Sequence, residues 1–108
     1  MNVCSYIQYM KINTEHTTDI FKLLSDPTRV KILEVLMKTR TQDICVKEIA
    51  QAVEASHSAT SHQLAKLEAK GIVSCKRVGQ TSCYSLSTDT LARGVESILI
   101  HSSNVLRP

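Results

Sequence analysis

The sequence predicts a mainly helical fold with one small β-hairpin, on three observations. Apolar residues recur at helical spacing along most of the chain. Residues suited to helix ends punctuate that pattern: Asp26-Pro27 and Ser56 at starts, Gly71 at a stop. After Gly71 the apolar period changes from helical to alternating, on either side of Gly79-Gln80. Hydrophobic residues make up 43% of the 108, with no Trp and one Phe, so the core is expected to be aliphatic. That length suits one core rather than two, and residues 1–108 are expected to form a single domain.

The elements follow in order. Val3, Tyr6, Ile7 and Met10 stand at helical spacing and predict a short amphipathic arm. Ile20, Phe21, Leu23 and Leu24 form the apolar side of a helix starting near Thr14. In "SDPTRVKILEVLMK", Asp26 can accept from free backbone N–H groups, and Pro27 suits the first turn, where a missing donor costs nothing. Val30, Leu33, Leu36 and Met37 are the expected buried stripe of that helix. "CVKEIAQAV" predicts a short helix with Val46, Ile49, Ala50 and Val53 inward. Ser56 caps the next helix, whose inward line is Thr60, Leu64 and Leu67. Two short helices joined by Glu54-Ala55-Ser56 are a helix-turn-helix. "IVSCKRV" and "TSCYSL" then flank a hairpin turn. The last helix carries Leu91, Val95, Ile98, Leu99, Ser102, Val105 and Leu106 on one side, a stripe wide enough to predict packing against a second copy of the chain. Four helices, a hairpin and a closing helix make a winged helix-turn-helix.

Composition narrows the function. The absence of a membrane-length apolar run and of a secretory signal predicts a cytoplasmic protein with no membrane segment, and a net charge of +3 permits an anionic partner. The amino end, "MNVCSYIQYMKI", lacks the features of a secretory signal. Four cysteines in such a chain point to free thiols, metal binding or redox sensing before structural disulfides. No nucleophile–base–orienter set or phosphate loop is visible, and no enzyme is expected.

The stretch "SHSATSHQLAKLEAKG", residues 56–71, carries the chemistry. With Thr60, Leu64 and Leu67 inward, Ser58, Ser61, His62 and Ala65 lie on the opposite side, with His57 at the leading edge. Small hydrogen-bonding side chains let a helix approach a groove floor closely, and the N-terminal residues of such helices meet base edges in the major groove. A solvated face would instead carry Glu and Lys, which appear only later, at Lys66, Glu68 and Lys70. Metal binding by His57 and His62 is disfavoured, because side chains five residues apart on a helix point in different directions. Lys76, Arg77 and Gln80 lie near the hairpin tip and are placed to meet flanking phosphates or the minor groove. The expected partner is double-stranded DNA, read by helix 57–70 and wing 74–84 through Ser56, His57, Ser58, Ser61, His62, Gln63, Lys66, Lys76, Arg77 and Gln80.

"LLSDPTRVKILEVL", "ICVKEIAQAV" and "ASHSATSHQLAKLEAKGIVSCKRVGQTSCYSL" resemble the ArsR/SmtB family of winged-helix repressors, over about residues 19–106. The resemblance implies a homodimer built through the first and last helices, a recognition helix in the major groove, and release of operator DNA on binding a metal or other effector. His57 stands where the family usually has Gln, Gln63 where it has a second His, Gln80 where its wing often has Arg, and Cys83 in place of the first Tyr of a Tyr-Tyr pair. These departures bear on operator preference more than on DNA binding itself.

The effector is left open between several readings. Metal-sensing relatives often carry Cys-Val-Cys where this chain has Cys45-Val46-Lys47. Cys4, in the N-terminal arm, is the candidate second thiolate for a soft metal ion, although two thiolates alone are few for zinc or cadmium. The family's other metal site aligns with Thr88, Thr90, His101 and Asn104, of which only His101 is a ligand of the expected kind. Cys45 also falls at a helix N-cap beside Lys47, features that activate a thiol, so a redox or electrophile sensor at Cys45, partnered by Cys4, is the competing expectation. Cys75 and Cys83 lie on adjacent hairpin strands: a three-residue turn sets them face to face, a two-residue turn on opposite faces. Two alternatives stand beside a regulated repressor: a constitutive repressor with decayed sensor sites, and a winged-helix module that binds protein.

Overall fold

A computed structural model of the chain describes residues 14–39, 42–88 and 90–106. The expected helix at residues 3–10, and Cys4 with it, lie outside the described residues. The element order is α1 (Thr14–Leu23), α2 (Pro27–Lys38), β1 (Ile44–Cys45), α3 (Val46–Val53), α4 (His57–Ala69), β2 (Val73–Val78), β3 (Thr81–Leu86) and α5 (Thr90–Leu106). This is a winged helix-turn-helix.

Helix ends are fixed by the residues expected to fix them. Asp26 Oδ1 accepts from the backbone N–H of Thr28 at 2.9 Å and of Arg29 at 3.5 Å, with Pro27 next in the first turn of α2. Ser56 Oγ accepts from Ala59 N–H at 3.1 Å and starts α4. At the far end of α4, Gly71 takes φ +76°, donates to Glu68 O at 2.9 Å, and lets Ile72 N–H reach Leu67 O at 3.0 Å. That paired closure with a left-handed residue turns the chain from helix to strand, and it delivers Ile72, fully buried, to the core. The helix-turn-helix corner uses a less accommodating residue. Glu54 caps α3 at φ 56°, and its N–H bonds to Ala50 O and Gln51 O.

One core joins the elements. Ile20 and Leu23 of α1, Ile32, Leu33 and Leu36 of α2, Val46, Ile49 and Val53 of α3, Leu64 and Leu67 of α4, Ile72, Val73, Tyr84, and Val95 and Leu99 of α5 form a continuous cluster. The stripe of α2 is rotated slightly from the expectation. Ile32 takes a fully buried place beside Leu33 and Leu36, while Val30 and Met37 are half-buried at its edges. A helix with apolar residues on most of its positions leaves its rotation open until partners are present. Of the apolar stripe of α5, Val95 and Leu99 pack into the chain's own core. The large apolar side chains left outward among the described residues are Phe21, 63% exposed, Val78 on β2, 55% exposed, and Ile100, 44% exposed.

The sheet has three strands, in the order β1-β3-β2, all antiparallel. β1 was not expected from the sequence. Ile44 pairs with Tyr84, and Cys45 with Cys83. The hairpin closes by a two-residue turn, Val78 opposite Thr81, with Gly79 at φ +65°.

Thr60 is fully buried in the inward line of α4, and its Oγ1 has no hydrogen-bond partner among the described residues. Leaving a buried hydroxyl unsatisfied costs about 1–3 kcal/mol. Thr60→Val, which replaces the hydroxyl by a methyl at nearly the same helix propensity, is expected to raise stability by about 1 kcal/mol. The midpoint of urea unfolding should rise at unchanged slope; a lower midpoint would show that the hydroxyl is satisfied after all.

Candidate nucleic-acid interface

Three buried residues set the rotation of α4. With Thr60, Leu64 and Leu67 inward, Ser58, His62 and Ala65 are exposed on the far side. The two flanks between them are occupied differently.

On the flank toward the wing, His57 and Ser61 line a cleft of about 420 Å³ with Cys45, Val46 and Lys47 from the start of α3 and Gln80, Thr81, Ser82 and Tyr84 from the hairpin. Burial, followed by a hydrogen bond with Cys75, pushes the Tyr84 phenol up to about 12. The cleft brings together three of the expected reading residues, His57, Ser61 and Gln80. Lys76 and Arg77 are exposed on β2, with Lys76 opposite Cys83 and Arg77 opposite Ser82. Lys47 is an addition. Its place at the N-terminal end of the first helix of the pair, where such motifs cross the DNA backbone, was a signal available in the sequence.

On the opposite flank the helix is tied down. Gln63 Nε2 donates to Asp26 Oδ2 at 2.8 Å, and Arg29 Nε donates to Gln63 Oε1 at 3.2 Å. Arg29 also reaches the carbonyls of Lys22 and Leu23, at 3.3 and 3.4 Å, and lies 3.9 Å from the Asp26 carboxylate. The capping residue of α2, the last turn of α1 and the middle of α4 thus share one polar network. Gln63, expected to face DNA, has both ends of its amide engaged within the fold, where it ties α4 to the start of α2. Lys66 lies on this flank as well, in a groove with Leu23, Arg29, Ala69 and Lys70, away from the wing. Ser56 is committed to its cap, with its hydroxyl also 3.5 Å from that of Ser58.

The thiols are arranged by the sheet. The two-residue turn sets Cys75 opposite Tyr84 and Cys83 opposite Lys76, so Cys75 and Cys83 point to opposite faces and no disulfide joins them. Cys45 occupies the N-cap of α3 as expected but accepts no capping hydrogen bond; its Sγ donates to Glu48 Oε1 at 3.0 Å. Burial pushes the Cys83 thiol up, and negative charge at Cys45, Asp43, Glu48 and Cys75 adds to the effect. Cys4, the second thiolate named for a soft metal ion, lies outside the described residues. Lys47 presents an ammonium where a second thiolate is needed, and no group of three or more His, Cys, Asp or Glu among the described residues is placed to hold a metal. His101 is exposed on α5.

A winged helix-turn-helix whose second helix shows small polar side chains beside a basic wing defines a nucleic-acid-binding regulator. Comparison with known proteins gives the family. Residues 26–74 match the family of bacterial regulatory proteins of arsR type. The chain is 35% identical, over 88% of its own length and 77% of the relative's, to a cadmium resistance transcriptional regulatory protein CadC homolog of Staphylococcus aureus. It is 36% identical to a transcriptional repressor SmtB homolog of Synechocystis, over 68% of this chain and 53% of that one, so it spans about half of the latter's length. The crystal structure of the AntR antimony-specific transcriptional repressor superposes with a TM-score of 0.71 at 26% identity, covering 85% of this chain and 81% of that one. This chain belongs to the arsR family.

Asp26 gives the network a pH signature. Desolvation alone pushes its carboxyl up, but hydrogen bonds from Thr28, Arg29 and Gln63, with the Arg29 charge, outweigh it and hold the group below its ordinary value. A carboxyl depressed by folding stabilises above its unfolded value, and that contribution is lost as pH falls through the lower folded value. Melting temperatures of the native chain are expected to drop below the ordinary carboxylate range, and Asp26→Asn should lower stability at pH 7 while flattening that acid limb. An unchanged acid limb in the variant would remove Asp26 from the account.

Proposed function

We propose that the chain is a homodimeric repressor that binds double-stranded operator DNA, with the exposed face of α4 in the major groove and the wing against flanking backbone. The observation that carries this reading is the composition of the α4 surface. Ser58, His62 and Ala65 face outward and His57 and Ser61 face the wing-side cleft, with no Glu or Lys among the five and with Lys47, Lys76 and Arg77 around them. Short hydrogen-bonding side chains meet base edges while the cations meet phosphates. Base reading falls to His57, Ser58, Ser61 and His62; phosphate contacts fall to Lys76, Arg77 and Lys47, with Ser56 and Gln80 at the margins. Lys66 contributes long-range positive charge.

Exposed Phe21 and Ile100, on helices that pack against each other, support self-association through α1 and α5. The relatives are transcriptional regulators, and no described helix is long and apolar enough to cross a membrane. A non-enzymatic role in the cytoplasm is the reading these support, with residues 1–108 acting as one domain. Regulation through the thiol of Cys45 is part of the same proposal; Cys4, named from the sequence as its partner, lies outside the described residues. A soft metal ion held by Cys45 and Cys4 is the alternative effector.

A promoter fragment from upstream of the chain's own gene is the probe. The dimer should bind it with an affinity that falls steeply as salt rises, because each phosphate neutralised by Lys or Arg releases counterions. Replacing Ser61 and His62 by Ala should narrow the preference for that fragment over random DNA. Arg77→Ala should weaken binding to both alike and lower the slope of log affinity against log salt by about 1. Salt-independent binding, or a change of sequence preference from Arg77→Ala alone, would overturn this division of roles.

A further inference from the structure

The third strand brings together two thiols that are 38 positions apart in the chain. β1 pairs antiparallel with β3, and in that register Cys45 stands directly opposite Cys83. Directly opposed residues share a face of the sheet, with Cα atoms about 4.5–5.5 Å apart. A disulfide spans Cα separations of about 4.4–6.8 Å, so closing one here needs side-chain rotation and a small approach, without rearranging the backbone. Both thiols are free and half-buried. On the other side of Cys83 the same row continues to exposed Lys76. Cys75 is excluded from the row, since it opposes Tyr84 on the core side.

We propose that Cys45 and Cys83 form a cross-strand dithiol site that reacts with low-molecular-weight disulfides, and that its closure lowers operator affinity. The thiolate of Cys45, released from its hydrogen bond to Glu48, attacks one sulfur of the small disulfide and expels one small thiolate. The Cys83 thiolate then attacks the Cys45 sulfur of the mixed disulfide and expels the second. Two protein thiols are oxidised to one disulfide, the small disulfide is reduced to two thiols, and the two protons given up by the protein end on those products. The raised thiol of Cys83 leaves less of it as thiolate, and its place directly opposite Cys45 offsets this by making the second attack intramolecular.

The position of the pair gives the reaction its consequence. Cys45 caps α3 and lines the cleft with His57, Ser61 and Gln80, and Cys83 lies in the wing strand between two residues of that cleft, Ser82 and Tyr84. A covalent staple therefore fixes the wing against the start of the helix-turn-helix, at the gap across which the two DNA-contacting parts must adjust to a groove. The effect on affinity rests on the DNA-binding reading above; the dithiol itself does not.

The full chain, reduced and then treated with glutathione disulfide, is to be digested without reduction and mapped by mass spectrometry, alongside binding to the same promoter fragment. A peptide pair joining Cys45 to Cys83 is expected, with a rise in Kd of at least threefold that dithiothreitol reverses. Cys83→Ser should bind the fragment with the same Kd before and after the oxidant, whatever its own starting affinity, and the double variant Cys4→Ser, Cys75→Ser should respond like the wild type. Linkage of Cys45 to Cys4, disulfides between chains, no linkage at all, or an undiminished response in Cys83→Ser would overturn the proposal. Linkage without a change in Kd would overturn its regulatory half. A reduced chain that binds no DNA would instead sink the DNA-binding reading, while the peptide map still decides the dithiol.

Discussion

What this chain can touch depends on how α4 is turned about its own axis. A rotation of one residue step, about 100°, would bury a histidine or expose a leucine. Two interactions hold the observed setting, and their magnitudes differ. Burying Leu64 and Leu67 contributes about 1.5–3 kcal/mol each, and Thr60 is enclosed with them. The Gln63 hydrogen bonds to Asp26 and Arg29 contribute about 1 kcal/mol each at most after exchange with water. Packing supplies the stability. The hydrogen bonds are directional and sit on a flank, so they resist small rotations that a smooth apolar contact tolerates.

The same constraint explains the asymmetry of the reading surface. One flank of α4 is anchored to the α1–α2 corner by Gln63, which leaves the other flank, His57 and Ser61, to form the cleft with the wing. The far side, Ser58 and His62, is exposed and carries groups able to donate and accept at a base edge. An inward line, an anchored flank, an open flank and an exposed face are four different roles on one helix of 13 residues.

Local signals were legible in the sequence and long-range ones were not. Asp26-Pro27, Ser56, Gly71 and Gly79 each act within a few residues, and each ends or turns the chain where its chemistry indicates. The inward lines of α3 and α4 were legible because polar residues flank them. α2 offered too many apolar positions to fix its rotation, so Ile32 was not read as core. β1 is two residues long, too short to carry any period, and its existence depends on β3 arriving beside it. Gln63 was read as a base contact because its position on the helix surface was visible, whereas Asp26, 37 positions earlier, was not visible as a partner. The geometry of Cys75 and Cys83 hinged on one residue of turn length, which the alternating pattern alone leaves open.

β1 also changes the mechanical description of the wing. A two-stranded hairpin tethered only at its base would move independently of the helices. Here β3 is central in the sheet, paired on one side with β2 and on the other with the segment that caps α3. The wing, the start of α3 and, through the left-handed turn at Glu54, the start of α4 are therefore connected by backbone hydrogen bonds and one short corner. Chemistry at the outer face of this sheet acts on the spacing between wing and recognition helix directly. No relay through the core or the far end of the molecule is required for a change at Cys45 to reach His57, because both residues line the same cleft.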